Sequence, residues 1–219
     1  MKLDRDSYGK VALIWVCSVS IAIIFLDIVP LKVISWPVCA LMIWFVTWQT
    51  WFFHVPSRPA SGDPRDVISV CDGTVVVAEK VFEEECLKRE CMQISVYMNF
   101  FDVHANFWPV DGTPVHFEHH LGQHLLAVSP KSSLENEHTC TIVRMDDGTE
   151  IFFKQIAGGY ARRIINYASQ SGTKAVRGKQ CGIIQFGSRI DLFLPLDADI
   201  KVKVGDSVRA CESILARLS

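Results

Sequence analysis

The chain has 219 residues, enough for one globular domain or for one domain with an anchor. A hydrophobic share of 49% is high for a protein bathed in water on all sides, and a net charge of −2 gives no basis for nucleic-acid binding. The eight cysteines are scattered, and only Cys86 and Cys91 lie close, with no second pair to complete a zinc ribbon; they read as reduced, mostly buried thiols.

The apolar residues concentrate at the front. Val11 to Leu26 carries no charge, nor does Pro37 to Phe53, and flanking residues extend these runs to two helical segments of about 11–29 and 36–53. A spanning helix needs about 20 apolar residues, and local bilayer thinning absorbs a small shortfall. Trp36, Trp48 and Trp51 suit an interfacial belt. A buried hairpin is disfavoured because amphipathic periodicity is missing. A cleaved signal is disfavoured because a second apolar run follows at once. Residues 1–56 are therefore expected to form a membrane anchor, spanning or re-entrant. Lys2, Arg5 and Lys10 precede the first run, Arg58 and Arg65 follow the second, and only Lys32 lies between. The positive-inside rule then puts the rest of the chain on the cytoplasmic side of the cell (inner) membrane.

His54 to Arg65, rich in Pro, Ser and Gly, reads as a linker into a second domain, 57–219. Short apolar runs alternating with turn signals predict a mainly β (α+β) fold, a compact β-sandwich or barrel-like domain. The expected strands are Val67–Val70, Thr74–Ala78, Gln93–Tyr97, Pro114–Phe117, Leu125–Val128, Thr139–Met145, Glu150–Lys154, Cys181–Phe186, Arg189–Leu194 and Ile200–Val204. Asp72-Gly73, Asp111-Gly112 and Asp147-Gly148 are the strongest turn dipeptides. One helix is expected over Tyr160–Ala168. His116, His119, His120 and His124 read as a solvated or membrane-facing patch, because Gly122 interrupts their strand; no metal site is expected.

Two strand-like runs flank Gly187-Ser188. Glycine leaves space around its own carbonyl and reaches dihedrals closed to other residues, which lets the next hydroxyl approach that carbonyl. Taken alone, the pair is equally a hairpin turn. Its context decides. Phe186-Gly187-Ser188-Arg189 near the C-terminus resembles the processing motif of phosphatidylserine decarboxylases. Phe101-Asp102-Val103-His104-Ala105-Asn106 with Pro109-Val110-Asp111-Gly112 resembles the family's Asp-x-His block and following turn. Val70-Cys71-Asp72-Gly73 resembles its Asp-Gly block, and Ser132-Ser133-Leu134-Glu135-Asn136-Glu137 is similar to its Glu-Asn-Glu segment. Gln155-Ile156-Ala157-Gly158 followed by Ala161-Arg162-Arg163-Ile164 looks like the short, membrane-anchored form.

The resemblance implies a pyruvoyl-dependent carboxy-lyase that converts phosphatidylserine in the membrane to phosphatidylethanolamine. It implies self-cleavage between Gly187 and Ser188, giving a β chain 1–187 and an α chain 188–219 that stay partners. Ser188 would become the covalent pyruvoyl cofactor, a ketone that serves as electron sink for loss of carbon dioxide. Dimers occur in the family. A serine hydroxyl needs a neighbouring base, and His104 is the candidate, since imidazole titrates near neutrality. Asp72 is the candidate to orient it or support its charge, and reads equally as a turn residue. Many long-form members carry a second histidine where this chain has Phe107, so either His104 serves both steps or another residue drives cleavage. Arg189 stands where Thr or Ser is commoner. Its guanidinium suits a lipid phosphate or substrate carboxylate, although pairing with Asp191 on a strand face is the simpler reading. The alternatives are a lipoyl- or biotinyl-like β module, whose carrier lysine is missing at 187–189, and an unprocessed scaffold.

Overall fold

The structure is a computed structural model describing residues 2–29, 31–123, 125, 132–159, 163–185 and 188–219. It divides into two compact units, Met1–Pro56 and Ser57–Ser219.

In the first unit, β1 (Lys2–Leu3), α1 (Tyr8–Ile28), α2 (Lys32–Phe52) and β2 (His54–Val55) follow in order. Each helix has 21 residues and is long and apolar enough to cross a membrane. Ile23, Val33, Trp36, Leu41 and Trp44 lie exposed on their surfaces. Both helices start earlier than the uncharged runs, because one lysine does not break a helix and finds its own outlet. Lys32 Nζ donates to the Leu26 carbonyl at 2.9 Å, a cation placed on the unsatisfied C-terminal end of α1. Trp15 Nε1 donates to Thr50 Oγ1 at 2.7 Å, joining the two helices, and β1 pairs antiparallel with β2.

The second unit is built of strands. In chain order they are β3 (Asp66–Ile68), β4 (Gly73–Glu83), β5 (Arg89–Met98), β6 (Ala105–Phe107), β7 (Thr113–His120), β8 (His138–Arg144), β9 (Glu150–Ala157), β10 (Arg163–Asn166), β11 (Gln180–Gln185), β12 (Ser188–Leu194), β13 (Asp199–Ile200), β14 (Ser207–Val208) and β15 (Ile214–Arg217), with a short helix α3 (Ser132–Glu135) before β8. A seven-stranded antiparallel sheet runs β14-β4-β5-β12-β9-β8-β7, and two three-stranded sheets run β10-β11-β6 and β13-β15-β3. The domain is mainly β, as the sequence predicts, and its sheets are not closed among the described residues. Their shared core takes Ile94, Val96, Phe153, Ile190 and Leu192 from the large sheet, Cys181 and Ile184 from β11, and Val67 and Leu215 from the third.

The expected helix over Tyr160–Ala168 is overturned for its described part. Arg163–Asn166 is strand β10, and only Tyr167–Ser169 makes a 3₁₀ turn. Ile164 and Ile165 are β-branched, and pairing along β11 supplies the hydrogen bonds a helix would have made internally. Residues 160–162 lie outside the described residues, as do 126–128 of the expected strand Leu125–Val128, and Phe186. In the tail, Ile200–Val204 pairs only at β13. Of the three Asp-Gly pairs, Asp147-Gly148 closes the β8–β9 hairpin, while Gly73 opens β4 with φ +152, where an added Cβ would sit 2.2 Å from the Tyr97 carbonyl oxygen.

Candidate active site

Ser188 is the first residue of β12, the middle strand of the large sheet, between Met98 of β5 and Ala157 of β9. The preceding strand, β11, belongs to a different sheet and ends at Gln185. The chain therefore changes sheets within the step that holds Gly187, itself outside the described residues. Ser188 is fully buried, and its Oγ has no hydrogen-bond partner among the described residues. A buried hydroxyl in that state is costly in a purely structural position.

The peptide of Ala157, opposite Ser188, is held from the other side. Its N–H donates to the Glu137 carbonyl at 2.9 Å, and its carbonyl accepts from Asn136 Nδ2 at 2.6 Å. The Asn136 amide also brackets Leu125, accepting from its N–H and donating to its carbonyl, each at 2.8 Å. The Glu-Asn-Glu segment thus braces the strand position paired with Ser188.

His104 is fully buried just before β6, and its carbonyl accepts from the Ile184 N–H at 3.2 Å, beside the strand that leads to Ser188. Two residues on, Asn106 Nδ2 approaches Met98 Sδ at 3.9 Å and its Oδ1 accepts from Gln155 Nε2 at 2.7 Å. Met98 pairs with Ser188, so β6 and the candidate nucleophile abut the same residue. His104 Nδ1 lies 2.8 Å from the Asp102 carbonyl. A carbonyl only accepts, so Nδ1 carries the proton and Nε2 is the basic nitrogen. Burial pushes the imidazole pKa down to about 4, against smaller upward pulls from the Asp102 carbonyl and the Asp72 charge. The ring is therefore neutral, and a base, throughout the neutral range. Asn99 fixes the turn behind it by donating its N–H to the Asp102 carboxylate at 2.8 Å. Burial raises that carboxyl above its ordinary range.

The negative charge of Asp72 favours the protonated form of His104, a smaller effect than burial. Its carboxylate is gripped by Arg58 in a two-pronged ion pair, Nη1 to Oδ1 and Nη2 to Oδ2 at 3.0 Å, and Oδ1 also accepts from the Ala210 N–H at 2.8 Å. Both side chains are mostly buried. Asp72→Asn is expected to lower stability by about 2–4 kcal/mol, because a largely buried guanidinium loses its counter-charge. Arg58→Ala should cost a similar amount and the double variant less than the sum, measured by urea unfolding of the four proteins, all carrying Ser188→Ala so that each stays a single chain.

Arg189, next to Ser188, points to the opposite sheet face by strand alternation. It is buried, with Nε 2.5 Å from Asp191 Oδ1 and Nη2 3.0 Å from Ser95 Oγ. Phe107 is buried in β6 beside Gln180. In the sequence Arg58 counts only as a basic flank, and Asn106 and Gln155 only as members of longer blocks, with no role of their own. Arg58 sits in a Pro-rich linker and the other two in apolar runs, so only their buried partners reveal them.

Comparison with known proteins shows the family. The sequence profile of the family described as phosphatidylserine decarboxylase matches residues 45–216. A phosphatidylserine decarboxylase proenzyme of Amoebophilus asiaticus is 42% identical over 172 residues, covering 78% of this chain and 76% of that protein. One from Porphyromonas gingivalis is 33% identical over 220 residues, covering 100% and 99%, and one from Parabacteroides distasonis is 41% identical over 169 residues, covering 77% and 76%. No solved structure matches. A family profile that spans most of the chain, with sequence similarity running the full length of a relative, leaves one conclusion: this chain belongs to the phosphatidylserine decarboxylase family and is a decarboxylase enzyme.

Proposed function

We propose that the chain is a self-cleaving proenzyme whose Ser188 becomes the pyruvoyl group that decarboxylates phosphatidylserine to phosphatidylethanolamine. The observation that carries this reading is the Ser188 hydroxyl: buried, without a partner among the described residues, and directly after Gly187.

The steps balance with residues of this chain and water. His104 Nε2 takes the Oγ proton, and Oγ attacks the Gly187 carbonyl carbon. The C–N bond breaks as the acyl group moves to oxygen, giving an ester and a free amine on residue 188. Loss of the Cα proton expels the Gly187 carboxylate and leaves dehydroalanine, which takes up water and loses ammonia to give the ketone. A pyruvoyl ketone supplies the electron sink into which the substrate's bond to its carboxylate breaks. His104, held in one tautomer by the Asp102 carbonyl, serves as base in the first step. Asp72, fixed by Arg58 and the Ala210 N–H, supports positive charge on the imidazole as it accepts the proton. Arg189 stays with Asp191 rather than serving the substrate.

The two apolar helices anchor this domain to the lipid that carries its substrate, with the basic flanks keeping it on the cytoplasmic side. Phe101, 71% exposed on the turn that carries Asp102, offers an apolar contact to a lipid chain close to His104.

Intact-mass measurement of the purified protein tests the proposal. Two chains are expected, 1–187 and 188–219, the smaller one blocked to N-terminal sequencing. Recovery of a single uncut chain with serine at 188, in a preparation that turns over lipid, would overturn it.

A further inference from the structure

The large sheet has a second face, turned away from the Ser188 hydroxyl by alternation of side chains along each strand. At its β7 edge, His120 pairs across from His138 and Glu118 from Cys140, with Lys154 of β9 next to Cys140. The β4–β5 hairpin tip reaches this corner with Glu85. One donor atom each from Glu85, His120, His138 and Cys140 lies within 4.8 Å of every other.

The two imidazoles converge on one carboxylate oxygen. His138 Nδ1 faces the Asn136 carbonyl at 2.7 Å, an acceptor only, so that nitrogen carries the ring's proton. Its Nε2 lone pair then points at Glu85 Oε1, 2.9 Å away, unless a second proton or a cation lies between. The His120 ring stacks on His138 with centroids 4.8 Å apart and planes within 12°. Its Nε2 is buried without a hydrogen-bond partner among the described residues, 3.6 Å from the same Glu85 oxygen and 3.5 Å from Glu118 Oε2. A single divalent cation between the two rings and Glu85 would serve both Nε2 atoms.

The surroundings are built to hold the donors in place. The Glu83 carboxylate accepts the N–H groups of Glu85, Cys86 and Leu87 at 3.0, 2.8 and 2.6 Å, which fixes the loop that presents Glu85. Lys154 Nζ bonds the other Glu85 oxygen, and the Asn136 carbonyl holds His138, the pattern of outer-shell partners that orient metal ligands. Cys140 shares a hydrogen bond with the Cys86 thiol at the rim.

We propose that Glu85, His120, His138 and Cys140 bind one zinc-class divalent cation. Two imidazoles, a thiolate and a carboxylate form a borderline-soft set suited to tetrahedral Zn²⁺, and four protein ligands with no open position make a structural site. Donors in such a tetrahedron stand about 3.3–3.8 Å apart, so closure needs side-chain shifts of about 1 Å. The ion would clamp the hairpin tip to the sheet edge beside the apolar cluster of Cys91, Cys140, Ile142, Phe152 and Phe193. It lies off the Ser188 face and plays no part in the chemistry there.

The test is titration of the untagged, full-length, chelator-treated protein with Zn²⁺ against a chromophoric chelator, and separately with Co²⁺. One ion per chain is expected, with a thiolate-to-cobalt charge-transfer band. His120→Ala should weaken binding by at least about 100-fold, beyond the roughly 10–100-fold cost of losing an outer-shell partner. His119→Ala, which removes an imidazole paired to Glu137 on the other face of β7, should leave binding unchanged. Absence of stoichiometric binding, equal affinity in the wild type and His120→Ala, or a Co²⁺ complex lacking the thiolate band would each overturn the site. The band is read on the wild-type protein, so a variant that misfolds does not decide the outcome.

Discussion

Ser188→Ala is expected to leave the protein as one uncut chain of 24.7 kDa with lipid decarboxylation at background. Without the oxygen no ester forms, the backbone stays whole, and no ketone appears. The variant should fold at least as well as the wild-type precursor. The hydroxyl it loses makes no hydrogen bond among the described residues, and relieving a buried unsatisfied group is worth about 1–3 kcal/mol. The expected signature is therefore an unchanged or raised unfolding midpoint together with complete loss of processing and turnover. A variant that kept measurable turnover would remove Ser188 from the mechanism. One that unfolded would assign the residue to packing.

The second large effect belongs to His104. His104→Ala should slow self-cleavage by about 10²–10⁴-fold, the usual worth of a positioned general base, so that uncut precursor accumulates. In the wild-type protein the imidazole titrates at about 4, so cleavage should be flat across the neutral range and fall to half near that value. An inflection near 6.5 would mean that the imidazole is solvated. The same burial shapes stability. Because the folded pKa lies below the unfolded value of about 6.5, the unfolded chain binds a proton first as pH drops. Stability then declines from about pH 6.5 down to about pH 4 and levels off below, with about 2 kcal/mol lost between pH 7 and 5 from this residue alone. Urea midpoints of two uncut chains, Ser188→Ala and Ser188→Ala with His104→Ala, at those two pH values measure it, and the double variant should lack that limb.

Most of the strand framework was legible because its physics is local. Thr139–Met145, Glu150–Lys154 and Arg189–Leu194 are apolar or β-branched runs bounded by turn residues; the large sheet shifts the first by one residue and lengthens the other two by three and one. The short pieces were not legible. β6 and β10 span three and four residues, too few to show a period, and exist because β11 offers both its edges. Ser188 stands out in the sequence through its glycine and the ordered blocks around it, as do His104 and Asp72. Their long-range partners do not. Arg58 meets Asp72 across 14 residues of chain, and Gln155 meets Asn106 across 49, distances over which no sequence periodicity carries information. His138 was passed over for the opposite reason: it stands apart from the run of histidines before it, and only strand pairing brings it against His120.

The position of residue 188 inside the large sheet fixes what a cut there would mean for the molecule's lifetime. β12 is registered at seven positions with β5 and at six with β9, and β15 is tied to β3, so a severed 32-residue tail has no free edge from which to peel. The fragments would persist as one body. Denaturation, however, would scatter them, and reassembly would become a meeting of two molecules instead of the collapse of one. Maturation would thus work as a ratchet: the enzyme folds once, as a single polymer, and its working form has no route back from the unfolded state.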